Sequence, residues 1–283
     1  MNIIESIILG IIQGITEFLP ISSTGHLTLA GKLLGLISDS HPEQWTSFIA
    51  VIQLGTLASI LIYFREDIKN ILTTFTKENL FERKGFREQS LNSRLGWLII
   101  IGTIPVVVVG LLFKHQIEGV FTKNLYVIAT SLITLAVLLA VAEKVASHRK
   151  GISELGWLDA AVVGIAQAFA LIPGSSRSGT TITGGLFMGM NREAAARFSF
   201  LVGIPAIFAS GLLELREVVK MGIDSAGVIN YAVATVVSGI SGYCAIDFLL
   251  KYLRKNTTFV FVYYRIALGM LILGLLFTDK IAP

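Results

Sequence analysis

The chain has 283 residues, 53% apolar and 15% charged, with 23 Lys and Arg against 19 Asp and Glu for a formal charge of +4. Soluble domains carry about 25% charged residues, whereas this chain has a mean hydropathy of +0.73. A soluble enzyme, a nucleic-acid binder and a disulfide scaffold are excluded, and no alternating strand pattern speaks for an outer-membrane barrel.

Residues 2–37 open the chain as an apolar stretch broken at Pro20, Ser22, Ser23, Thr24 and Gly25. With an acid at Glu5 and no basic flank, it is a poor signal peptide and is expected to stay in the mature chain. Proline disfavours helix at the residue before it and lacks a donor, while Ser and Thr after it cap a new helix. The stretch therefore reads as a half-helix, a polar turn and a returning half-helix. Apolar runs follow at 46–64, 94–113 and 124–142, each long enough to cross a hydrocarbon layer of about 30 Å. The polar stretch 65–94 is long for a loop and is read as holding an interfacial helix. Residues 157–190 repeat the broken pattern around Pro173–Gly179, and runs at 198–213, 228–250 and 259–278 complete the chain. Trp45, Trp97 and Trp157 each start an apolar segment, as interfacial anchors do. Cys244 lies inside a span with no second cysteine to pair with and is expected to pack in the interior.

The basic residues assign sides. With 65–94 on the cytoplasmic face and both broken segments entering and leaving on one side, fifteen Lys and Arg fall inside and six outside, as the positive-inside rule requires. Arg177 and Arg265 remain in apolar segments. Arg265, close to the cytoplasmic end of the last span, is read as snorkelling.

The two breaks echo each other. Gly10-Ile11-x-Gln13 and Pro20-x-Ser22-Ser23 recur as Gly164-Ile165-x-Gln167 and Pro173-x-Ser175-Ser176, at offsets of 154 and 153 residues. A weaker echo pairs Phe48, Ala58-Ser59 and Arg65-Glu66 with Phe198, Ala209-Ser210 and Arg216-Glu217. The fold predicted is an all-α polytopic membrane protein, a single domain over 1–283. Two inverted-topology repeats, approximately 1–145 and 155–283, each comprise a re-entrant helix hairpin and three of six transmembrane helices. In such architectures the ligand site lies where the broken helices meet. The glycine face Gly184-Gly185-x-x-x-Gly189 permits close helix packing, within the monomer or in a homodimer.

Two constellations carry chemistry. In the first, Gln13 and Glu17 are four apart on one helix face, and Ser23 and His26 are three apart on the returning half-helix. A hydroxyl beside an imidazole is the minimum for an activated nucleophile, and a carboxylate at membrane depth is functional by default. In the second, Pro173-Gly-Ser175-Ser176-Arg177-Ser178-Gly-Thr180-Thr181 offers free amides, hydroxyls and one guanidinium fork, the donor set of an oxyanion site, with phosphate the natural ligand.

These motifs, their order and the chain length resemble the undecaprenyl-diphosphate phosphatase (bacitracin-resistance) family. Its signatures are E/Q-x-x-x-E, P-x-S-S-T-G-H and P-G-x-S-R-S-G-x-T, here Gln13-x-x-x-Glu17, Pro20–His26 and Pro173–Thr181. The resemblance implies hydrolysis of undecaprenyl diphosphate, recycling the cell-wall lipid carrier, in the bacterial cytoplasmic membrane with a site open to its outer face. It implies a divalent cation, Mg2+ or Ca2+, and polyprenyl diphosphate and bilayer lipids as partners, with no nucleic acid. By the same resemblance Ser23 matches the nucleophile, His26 an acid, base or alternative nucleophile, Glu17 the carboxylate of metal or proton handling, and Ser176 and Arg177 the phosphate grip. Ser22, Ser175, Ser178 and Thr180 are further candidate phosphate-binding hydroxyls, and Gln13 shares the metal position with Glu17. Gln13 departs from the all-acid form of the motif, so the cation would rest largely on the diphosphate. The residues alone leave open Ser23 or His26 as nucleophile, and also a transporter or flippase for a phosphorylated lipid or other anion on the same repeat.

Overall fold

The computed structural model describes residues 1–38, 40–114, 117, 120–221 and 225–282. Among these residues it is all-helical, with one isolated bridge between Lys150 and Met190. The chain starts with α1 (Ile3–Phe18) and α2 (Ser23–Leu33), then α3 (Pro42–Tyr63), α4 (Arg65–Thr76), α5 (Leu91–Leu112) and α6 (Leu125–Val145). The second half holds α7 (Trp157–Phe169), α8 (Arg177–Phe187), α9 (Arg192–Met221), α10 (Ser225–Leu253) and α11 (Phe259–Phe277). Six of these, α3, α5, α6, α9, α10 and α11, are long and apolar enough to cross a membrane. The paired helices α1–α2 and α7–α8 sit at the two breaks. The polar stretch after α3 does contain a helix, α4, whose Phe75 packs 5.1 Å from Trp97.

The pattern inside α1 is inverted relative to a soluble helix. Asn2 and Glu5 form a capping box at its start, which satisfies two orphan amides. Its polar residues Ser6, Gln13, Thr16 and Glu17 are buried, while Ile4, Ile7, Ile11 and Ile15 are exposed. Isoleucines on the outer face suit hydrocarbon, and the polar face can persist there only because other helices cover it. The cover is close: a Cβ at Gly10 would lie 2.6 Å from the Ala234 carbonyl of α10, and one at Gly164 would lie 2.6 Å from the Gly102 carbonyl of α5. The two glycines of the repeated motif thus let α1 approach α10 and α7 approach α5.

Ion pairs sort by end of the bundle. Arg197–Asp67, Arg254–Glu193 and Arg192–Glu143 link segments at one end. At the other end Lys32 donates to the Ala282 carbonyl and the Asn230 amide to that of Met1.

Three sequence expectations are corrected. Trp45 is buried beneath Gly31 and 5.5 Å from Phe48, so it is a core residue, whereas Trp97 and Trp157 are exposed on the outer surface. Cys244 is exposed on α10 and does not pack inside. Helix α9 runs thirty residues, well beyond the apolar run 198–213, because its polar ends hold Glu193, Glu214 and Arg216 in helix without adding to the hydropathy signal.

Both breaks end in the same turn. Ser22 takes φ 76°, ψ 100° and its hydroxyl accepts from the Gly25 amide; Ser176 takes φ 68°, ψ 110° and accepts from the Gly179 amide. Left-handed backbone at a non-glycine residue is costly and is held only where the surroundings fix it. The equivalent serines are therefore Ser22 and Ser176, so the 154-residue offset of Gln13 and Gln167 continues through the turn. The Pro-x-Ser-Ser match is off by one, and Ser23 and Arg177 occupy the same first helical position.

Candidate active site

The two turns meet at Glu17, the next-to-last residue of α1. Its Oε1 accepts from Arg177 Nη2 at 3.1 Å. Its Oε2 accepts from Ser23 Oγ at 2.8 Å, Gln13 Nε2 at 3.1 Å and Gln53 Nε2 at 3.4 Å. The carboxylate is buried, and four donors make its charge tolerable there. Ser178 ties the turns together by donating to the Leu19 carbonyl at 3.1 Å.

Arg177 is placed by its first helical position on α8 and by space on α9. It also donates to the Ser199 carbonyl at 3.3 Å, and a Cβ at Gly203 would come within 2.2 Å of its Nη1. Its Nε is buried without a partner. Of the candidate hydroxyls, those of Ser22 and Ser176 accept the cap amides. Ser22 keeps its O–H to donate, while Ser176 also shares a 3.3 Å hydrogen bond with Ser178 Oγ that a phosphate oxygen would have to replace. Thr180 instead donates to the Arg177 carbonyl at 3.0 Å, which occupies it within its own helix. Ser175 Oγ is buried and unpartnered, an open donor beside the turn.

The Ser23–His26 pair does not form. His26 Nδ1 lies 2.7 Å from the Ser22 carbonyl and Nε2 lies 2.7 Å from the Tyr264 hydroxyl. A carbonyl only accepts, so Nδ1 carries hydrogen, and when the ring is neutral Nε2 accepts from Tyr264. The imidazole stacks on the Tyr264 ring, with centroids 5.6 Å apart and planes 6° apart. The group that Ser23 faces is Glu17.

Four participants escaped the sequence reading. Gln53 of α3 and Ser199 of α9 supply side-chain and backbone partners, Tyr264 of α11 holds His26, and Arg265 lies against the second turn. Arg265 does not snorkel: it is fully buried and donates from Nη2 to the Ser175 carbonyl at 2.9 Å. An arginine in an apolar run was its only signal. Gln167, the repeat counterpart of Gln13, donates to the Gly102 carbonyl at 3.3 Å and joins helices instead of entering the site.

For a cation, Glu17 and the buried, unpartnered Gln13 Oε1 present hard oxygens one turn apart. Among the described residues no three His, Cys, Asp or Glu cluster as a ready-made metal site. This donor set fits Mg2+ or Ca2+ only with the remaining oxygens drawn from substrate phosphate and water, which is how Mg2+ is commonly held.

The family model described as bacitracin resistance protein BacA matches residues 6–271. The chain is 57% identical to the undecaprenyl-diphosphatase of Syntrophobacter fumaroxidans, covering 98% of both chains. It is 50% identical to that of Chloroherpeton thalassium over 99% of both, and 47% identical to that of Myxococcus xanthus over 100% of this chain and 92% of the other.

Proposed function

The chain belongs to the family of the bacitracin resistance protein BacA, and from that membership we propose how its two turns hydrolyse undecaprenyl diphosphate to undecaprenyl phosphate and inorganic phosphate. It is a multi-pass membrane phosphatase of lipid-carrier recycling; the relatives' shared name does not favour the transporter alternative. One observation carries the mechanism: Ser23 Oγ donates to Glu17 Oε2 while Arg177 holds the other carboxylate oxygen.

The terminal phosphate binds between the turns, gripped by Arg177, the hydroxyls of Ser22, Ser175 and Ser176, and the first amides of α2 and α8, while Ser178 is held by the Leu19 carbonyl and ties the turns together. A phosphate dianion competes with Glu17 for Arg177 and draws the guanidinium away. Freed of its cation, the Glu17 carboxylate becomes the stronger base, so substrate binding itself switches on proton removal from Ser23. Ser23 Oγ then attacks in line: the Oγ–P bond forms, the bridging P–O bond breaks, and the Ser23 proton passes to Glu17. Undecaprenyl phosphate departs as the leaving group. It carries off the proton held by Glu17. The carboxylate then takes a proton from the water that adds to the phosphoserine and passes it to Ser23 Oγ as the Oγ–P bond breaks and inorganic phosphate leaves. Phosphoryl transfer rests on positioning and charge neutralisation, which the turns supply. Gln13 and the diphosphate would hold a divalent cation whose chemistry is to neutralise diphosphate charge, with Glu17 a ligand only outside the step in which it serves as base. Thr180, bonded within α8, serves the turn instead of the phosphate.

The finer architecture follows the same reading. Two inverted repeats, each a re-entrant hairpin and three spans, are supported by matched packing: α1 on α10 mirrors α7 on α5, α3 on α10 mirrors α9 on α5, and α3–α9 and α6–α11 pair counterparts. The basic-residue bias supports the sides assigned to the loops, and family membership is what supports the cytoplasmic membrane and a site reached from its outer face. An apolar groove of about 440 Å³ between α5 and α7, lined by Val109, Phe113, Ile165, Phe169 and Ile172, ends beside Pro173 and suits the prenyl tail.

The test is phosphate release from a long-chain polyprenyl diphosphate by detergent-purified protein, with Mg2+, Ca2+ or chelator. Wild type should release phosphate, and Ser23→Ala and Arg177→Ala should not. Full activity in Ser23→Ala would refute the mechanism; no release by monodisperse wild type with any ion would refute the function.

A further inference from the structure

Among the described residues Arg265 is the largest fully buried side chain. Its guanidinium makes one hydrogen bond, Nη2 to the Ser175 carbonyl at 2.9 Å, and its Nε and Nη1 are buried without partners. Nη1 also packs against the first turn of α8, where a Cβ at Gly179 would meet it at 2.6 Å. Among the described residues no carboxylate pairs with it. Arg177 differs in kind, since Glu17 already neutralises it.

A buried cation without a counter-charge is strongly disfavoured and is kept where something else supplies the anion. Beside it lie Ser175, whose hydroxyl is unpartnered, and the amide end of α8. These are donors like the guanidinium itself, so the missing anion belongs among them, where an oxyanion would sit. We propose that Arg265 supplies the resting positive charge of the phosphate site: it fixes the second turn through Ser175 and attracts the substrate's diphosphate while Arg177 is still engaged by Glu17. Tyr264, its neighbour, meets His26 of the first turn, so α11 touches both turns with consecutive side chains. The proposal rests on the phosphatase reading for its substrate but not for its anion.

The test separates charge from scaffold, using Arg265→Lys, which keeps the charge, and Arg265→Gln, which keeps a donor for the Ser175 carbonyl but is neutral. Inorganic pyrophosphate is the probe, titrated onto the intact protein in detergent by calorimetry and, in parallel, as a competitive inhibitor of phosphate release. Arg265→Gln should weaken pyrophosphate binding about tenfold or more, with KM rising in step, and Arg265→Lys should stay within a few-fold of wild type. Equal affinity in wild type and Arg265→Gln would overturn the proposal, as would Lys losing as much affinity as Gln. If Gln does not elute as folded protein, Lys alone decides: retained affinity sustains the assignment and lost affinity overturns it. Because binding is read without turnover, a protein that binds pyrophosphate through Arg265 but releases no phosphate would sink the phosphatase reading and leave this one standing.

Discussion

Arg177 and Glu17, separated by 160 residues in the chain, lie 3.1 Å apart from Nη2 to Oε1. Each belongs to a different broken helix, so this ion pair joins the two halves at the point where chemistry is expected. Burial makes the pair costly to break on either side, by about 3–5 kcal/mol when one partner is removed. In the proposed mechanism a substrate phosphate takes Arg177 for itself and the Ser23 proton passes to the carboxylate left behind, so the pair would have two states that link binding to activation of Ser23.

Glu17→Gln keeps the size of the side chain and removes both charge and base. Phosphate release should fall about 10²–10⁴-fold. Affinity for pyrophosphate should hold or improve, because Arg177 no longer has a competing carboxylate. Turnover and inhibition by pyrophosphate, measured together, check this.

Gly203→Ala perturbs Arg177 without approaching substrate. The added Cβ falls 2.2 Å from Nη1, so the guanidinium must move from its place between Glu17 and the Ser199 carbonyl. KM should rise about tenfold, equivalent to one charge-assisted hydrogen bond, with the elution profile of the purified protein unchanged.

Tyr264→Phe removes the donor to His26 Nε2 and leaves the stacked ring in place. A hydrogen bond is worth about 0.5–1.5 kcal/mol net, so turnover should drop by about tenfold at most. His26 in the present reading orients the first turn through the Ser22 carbonyl and is not the nucleophile. Loss of activity in Tyr264→Phe as complete as in Ser23→Ala would contradict that role.

Away from the site, Glu143 gathers three elements. It accepts from Arg192 Nε at 2.7 Å and from Arg192 Nη2, and from the Thr258 hydroxyl at 2.8 Å. Glu143→Ala should lower thermal stability in detergent by about 3 kcal/mol, at the low end for a buried pair because Arg192 is partly exposed. Activity per folded molecule should be retained.

Much of this was legible in the sequence because hydrocarbon makes polar residues conspicuous. Glu17, Ser23 and Arg177 stood out as polar groups in apolar segments, and the two proline breaks announced the turns. Side-chain partnership was not legible. Ser23 and His26 share a helix face by spacing, yet Ser23 opens α2 and is aimed back at the end of α1, where Glu17 waits across the turn. The periodicity within one helix contains no information about a neighbour reached through a left-handed serine. The same turn concealed the register, since Pro20 and Pro173 sit at different distances from the equivalent serines Ser22 and Ser176. Arg265 was misjudged because sequence depth near a span end does not reveal whether a side chain turns to water or to a turn beside it.

The most direct measurement is a quench in neutral SDS, which preserves both phosphoserine and phosphohistidine, of the enzyme during turnover of polyprenyl diphosphate labelled with 32P in its terminal phosphate, followed by peptide mapping. Attack by Ser23 predicts label on the peptide residue Ser23, and none in Ser23→Ala. Label on His26, or active wild type that never acquires label, would contradict attack by Ser23.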